Sequence, residues 1–161
     1  MTGAVGAQRL ADELVAARAE LFDALAAVEA GSLTTPGLVG EWSARELIAH
    51  LGYWAGHAVE VIHAAEEGRI EEIDHDAPPT DEMNAIVARI ARDTDLATVR
   101  KREAASVEAL LERLRRLDPG LLPARLPDGA TLEAGIEEDA SAHYREHAED
   151  LRRSLSERPR D

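Results

Sequence analysis

Apolar residues return every three or four positions along most of this 161-residue chain, and that period points to helices rather than strands. Leu10, Leu14, Ala17, Leu21, Leu25 and Val28 line one face of a first helix, predicted over about 8–30 with Gly31 as its stop. A break containing Pro36, Gly37 and Gly40 follows. Ser43-Ala44-Arg45-Glu46 then reads as a capping box, in which the serine hydroxyl and the glutamate carboxylate each satisfy an orphan amide of the first turn. It opens a second helix over about 44–67, with Leu47, Leu51, Trp54, Ala58, Val61 and Ala65 on its apolar face and Gly68 at its end. A third helix, about 81–117, carries Met83, Ile86, Val87, Ile90, Val107, Leu110, Leu114 and Leu117. Its pattern weakens between Asp93 and Asp95, which predicts a kink or a short interruption. Thr131 caps a fourth helix over about 132–156.

Four amphipathic helices and an aliphatic, Ala-rich core with only 3% aromatic residues predict an all-α fold, a four-helix bundle in one domain over 1–161. The connection from Gly68 to Thr80 is unusually long. Extended at roughly 3.3 Å per residue it reaches about 40 Å, against about 36 Å for a helix of about 24 residues. It is long enough to run the length of the bundle, so the second and third helices can be parallel.

The formal net charge of −14 argues against a nucleic-acid partner, because phosphate contacts need a basic face, and equally against docking on an anionic membrane surface. With no cysteine, disulfides and thiolate ligands are unavailable, so any metal must use His, Asp or Glu. Arg9, Asp12 and Glu13 interrupt the N-terminal region where a signal peptide would need its apolar core. No stretch of 18 apolar residues occurs. The expectation is a cytoplasmic protein with a small-molecule substrate, and a homodimer is compatible with it. Only Lys101 among the 18 basic residues is lysine, a bias typical of high-GC genomes.

The chemistry sits in the histidines. The inward stripe of the fourth helix is Leu132, Ile136, Ala140, His143, His147, Leu151 and Leu155, so two histidines occupy core positions. At i, i+4 their Cβ atoms lie about 5–6 Å apart on one face, close enough for both rings to reach one ion. His50 lies beside the inward stripe of the second helix, between Leu47, Leu51 and Trp54. Three imidazoles buried without ligand or partner would be costly. An inward histidine is ordinarily a hydrogen-bonded core residue, however, and spacing alone leaves both readings open.

The segment Glu41-Trp42-Ser43-Ala44-Arg45-Glu46-Leu47-Ile48-Ala49-His50-Leu51-Gly52-Tyr53-Trp54 resembles the second-helix signature of the DinB-like superfamily. There a Trp-Ser pair opens the helix and a ligand histidine precedes an aromatic pair. His143-Tyr144-Arg145-Glu146-His147 is similar to that superfamily's C-terminal His-x-x-x-His. The resemblance covers nearly the whole chain. It implies a bundle with parallel second and third helices, and His50, His143 and His147 as ligands of one divalent ion: zinc, nickel, iron or cobalt. The superfamily includes mycothiol-dependent maleylpyruvate isomerase and bacillithiol- and mycothiol-S-transferases. The resemblance therefore implies a thiol-dependent transferase or isomerase, with mycothiol as the cosubstrate expected from the base composition. A metal-dependent hydrolase and a non-catalytic bundle are the alternatives.

Around the triad, His57 is placed to reach the same cavity as an acid or base, and Trp54 to wall a substrate pocket. Asp139 and Asp150 lie where either can orient a ligand imidazole. Asp74-His75-Asp76 reads as solvated loop, His63 has no assigned role, and Lys101 and Arg113 to Arg116 read as surface.

Overall fold

The computed structural model describes the backbone of residues 2–158 and the side chains of residues 5–158. Six α-helices occur among them: α1 (Thr2–Leu25), α2 (Ala44–Glu66), α3 (Thr80–Arg92), α4 (Leu96–Arg116), α5 (Leu132–Asp139) and α6 (Ser141–Ser156). No residue among them lies in a β-strand. α1 ends five residues before the predicted Ala30. There the ladder tightens, Ala27 and Val28 donating to the carbonyls of Ala24 and Leu25, before a short 3-10 turn at Ala30–Ser32.

The capping box at the start of α2 forms as the sequence predicts. The Ser43 amide donates to Glu46 Oε2 at 2.8 Å, and the Glu46 amide donates to Ser43 Oγ at 3.4 Å. α2 is the central element, packed against α3, α4 and α5. α1 packs chiefly on α6.

The predicted third helix is two helices. Asp95 caps a fresh start, its carboxylate accepting from the Thr98 amide at 2.8 Å, so of the two predicted alternatives the weak stretch is the short interruption and not a kink. The two pieces run in opposite directions along α2. Trp54 bonds Asn84 while Glu46 faces Arg92, so α3 is antiparallel to α2. Gly52 meets Glu103 while Glu66 pairs with Arg113, so α4 is parallel to it. The long connection between parallel helices is thus residues 67–95, a loop followed by α3, and α4 alone is the third member of the bundle. At the crossing a Cβ on Gly52 would lie 2.9 Å from the Glu103 Cα, so α2 and α4 touch backbone to backbone.

The predicted fourth helix is also divided, at Ala140 (φ −121°, ψ −102°). An alanine carries no stop signal, so this offset has no local trace. A second buried polar network centres on Glu103. Glu103 is 1% exposed and takes Arg18 Nε at 2.7 Å and Nη2 at 2.8 Å, while the buried Tyr144 hydroxyl donates to it at 2.7 Å. Burial, and then the Glu103 charge, hold the Tyr144 hydroxyl well above its usual range, so it remains a donor.

Candidate metal centre

His50 lies in the second turn of α2, whose start the capping box pins, and is 4% exposed. His143 and His147 occupy the first two turns of α6. α2 and α6 run in opposite directions, His57 meeting Asp139 just before α6 and His50 meeting His143 within it, and this brings the three rings together. One ring nitrogen of each lies within 4.8 Å of those of the others. His50 Nε2 and His143 Nε2 are 2.7 Å apart, and the Trp42 ring packs on His50 with centroids 4.7 Å apart.

Charge and hydrogen bonding both suit a cation here. Burial first, and then the neighbouring His143 and His147, pull the His50 pKa down to about 3. Burial and His147 pull that of His143 down to about 4, against a small opposing contribution from the Asp139 main chain. Both rings are therefore neutral and offer lone pairs at physiological pH, as metal ligands must. His50 Nδ1 is buried without a partner. His147 Nδ1 makes no well-aligned hydrogen bond, but the Asp150 carboxylate lies 3.2 Å from it, the arrangement that steadies a ligand imidazole. Three converging imidazoles fit a divalent metal ion.

The triad forms part of the wall of a cleft of about 640 Å³, a volume typical of small-molecule sites. Much of the remaining lining comes from the connection, including Ile73, Asp74, Pro79, Met83 and Asn84. With the fold and cleft established, the DinB superfamily model matches residues 13–150.

The chain belongs to the DinB superfamily.

No curated protein and no solved structure gives a significant match. Within this DinB protein, Trp54 lines the cleft, its indole N–H held by Asn84 Oδ1 at 2.9 Å. His57 lines it too, but in a setting the sequence did not reveal. Its Nδ1 lies 2.5 Å from Asp139 and its Nε2 2.8 Å from Asp74. Burial disfavours its charge, but hydrogen bonds and charges from Asp139 and then Asp74 outweigh this and raise its pKa to about 9. His57 is an imidazolium clamped between carboxylates, with neither nitrogen free to take a proton.

Two of the acidic readings change accordingly. The Asp139 carboxylate serves His57 rather than a ligand imidazole. Asp74 is not simply solvated loop: it adopts φ 57°, a left-handed conformation that aspartate tolerates, and its carboxylate reaches His57. His75 beside it is 76% exposed, and His63 pairs with Glu67 outside the cleft. No helix among the described residues is long and apolar enough to cross a membrane.

These histidines give the metal-free protein a two-sided pH dependence. In the unfolded chain an imidazole titrates near 6.5. Below that value the unfolded chain gains protons that folded His50 and His143 refuse until about pH 3 and 4, so acidification favours unfolding. His57 acts oppositely. Its contribution is complete below about 6.5 and is lost as pH rises through that value toward about 9. Denaturation midpoints of metal-free protein should therefore peak near pH 6.5 and fall toward pH 5 and pH 9. His57→Gln should flatten the alkaline side, and a midpoint still rising between pH 7 and 9 would overturn this assignment.

Proposed function

We propose that this DinB protein is a metal-dependent thiol transferase or isomerase, whose three-histidine centre takes a low-molecular-weight thiol and presents it to an electrophile in the adjoining cleft. The observation that carries the reading is the donor set: three imidazoles in a cleft wall, where a structural zinc site would ordinarily close with four protein ligands. Three donors leave room for an exogenous ligand, and the cleft gives that ligand space. A divalent ion held there supplies Lewis acidity, enough to make a thiol ionise near neutral pH.

The chain's own residues do the rest. His50, held by the fixed start of α2, sets one side of the centre, and Asp150 steadies His147 on the other. Trp42 covers His50 and shields it from water. His57 keeps a fixed positive charge in the cleft, because Asp74 and Asp139 together hold its proton. The absence of cysteine is consistent with a thiol brought in by a cosubstrate. Mycothiol is the thiol that the family resemblance and the arginine-biased composition support.

Cobalt-substituted protein should develop a thiolate-to-metal charge-transfer band on addition of mycothiol, and the band should be missing in His143→Ala. Mycothiol should bind at least about tenfold more tightly than dithiothreitol, since about 1.4 kcal/mol of added sugar contact suffices for that factor. Equal affinity for the two thiols, with hydrolysis of ester or amide test substrates, would replace this reading with the hydrolase. A cobalt spectrum insensitive to every added thiol would leave a non-catalytic bundle.

A further inference from the structure

The walls of the cleft carry an unbalanced charge. No lysine or arginine lines it, whereas Asp74, Asp128, Glu138, Asp139 and Glu146 do. Asp74 and Asp139 are engaged by His57, the one cation in the lining. Asp128 accepts from the Ala130 amide, and Glu138 and Glu146 are exposed with no cationic partner. Five carboxylates against one imidazolium leave the lining about four charges negative. A divalent ion at the triad halves that excess without reversing it.

Aromatic faces add to the carboxylates. Tyr53 and Trp54 line the cleft edge to face with each other, their centroids 5.2 Å apart, and Trp54 packs likewise on His57. An aromatic surface beside unpaired carboxylates suits an organic cation, through ring quadrupole and Coulomb attraction together. It is a poor surface for a carboxylate or phosphate, for which nothing in the lining offers a bidentate guanidinium or an ammonium.

Resting on the metal-centre reading above, we infer that the cleft selects by charge: it takes a substrate or cosubstrate carrying a protonated amine and rejects anionic electrophiles. This DinB protein would accordingly act on amine-bearing or uncharged molecules, not on dicarboxylates or phosphorylated compounds. The unpaired Glu138 and Glu146 carboxylates are the selecting groups. His57, already neutralised from both sides, contributes little attraction for anions.

Two measurements test the inference, one independent of metal. The two tryptophans of the chain, Trp42 and Trp54, both line the cleft, so their fluorescence reports its potential directly. In metal-free protein at low salt, caesium should quench them at least about threefold more efficiently than iodide, each referenced to free N-acetyltryptophanamide. The preference should shrink at high salt, where screening shortens to a few ångströms, and in the Glu138→Gln/Glu146→Gln double variant. Iodide quenching equal to caesium quenching, or a preference untouched by the double variant, would overturn the charge selection.

With cobalt bound, cysteamine, mercaptoethanol and mercaptopropionate form a size-matched series of cation, neutral and anion. Their charge-transfer titrations should give affinities in that order, the ends about tenfold or more apart after correction for thiol pKa. Equal binding by all three overturns the inference while leaving thiol binding intact. Binding by none removes the thiol reading, and the quenching result then decides the charge selection alone.

Discussion

Replacing His50 with alanine should lower divalent-metal affinity by at least about a hundredfold, since even groups that only orient a ligand are worth 10–100-fold. His147→Ala should do the same, and each single variant should bind little more metal than the double. The geometry explains the severity. The ring nitrogens converge from two antiparallel helices, and no carboxylate belongs to the convergent set that could substitute for a lost imidazole. Competition with a chromogenic chelator, on protein purified without a metal-affinity tag, measures this directly. Asp150→Asn should give a smaller loss within the 10–100-fold range, because it loosens His147 without removing a donor. Stoichiometric, tight binding in either alanine variant would end the three-histidine assignment. Circular dichroism of the metal-free variants distinguishes loss of ligand from loss of fold.

The second large effect lies away from the cleft. Glu103→Ala should cost about 3–5 kcal/mol, the usual consequence of removing one partner from a buried charged pair. For a chain of this size that corresponds to a fall in Tm of about 6–20 °C. The loss strands two groups at once: the Arg18 guanidinium, which binds both Glu103 oxygens, and the fully buried Tyr144 hydroxyl. Tyr144→Phe should cost only about 1–2 kcal/mol, because Arg18 still compensates the carboxylate. If Glu103→Ala does not fold, the tyrosine variant still tests the network. A Glu103→Ala protein within about 1 kcal/mol of the parent would mean that Arg18 and Tyr144 find water instead.

How much of this was readable beforehand depends on the range of the interaction concerned. Ser43 and Glu46 lie within one helical turn, so the capping box was written locally and formed as written. The inward stripe of the last helix lies one position off: Tyr144 and Ala148 are the fully buried residues, and His143 and His147 flank them, half-buried in the cleft wall, because the break at Ala140 resets the helical phase. The direction of α3 was not readable. An amphipathic stripe says which face is buried but not which way the helix runs, and the Asp95 cap that reverses the chain had registered only as a weak patch. The clamp on His57 joins residues 17 and 82 positions away and depends on the path of an irregular loop. Glu103 carries no local sign at all: a glutamate amid charged residues reads as surface until Arg18 and Tyr144 are seen around it.

The connection between α2 and α4 has a consequence for how such proteins diversify. Two neighbouring helices that point the same way cannot be joined by a tight turn, so their linker must travel back along the bundle. Here that return path also lines the cleft, contributing Asp74, Pro79, Met83 and Asn84. Insertions and substitutions in surface connections are tolerated far better than changes in packed helices. The topology thus separates two parts of the cleft. The histidine triad sits on helices held by packing, while much of the chamber's lining sits on a connecting segment that tolerates changes of length and composition. The shape of the cleft can therefore vary on the linker at little risk to folding, with the triad left in place.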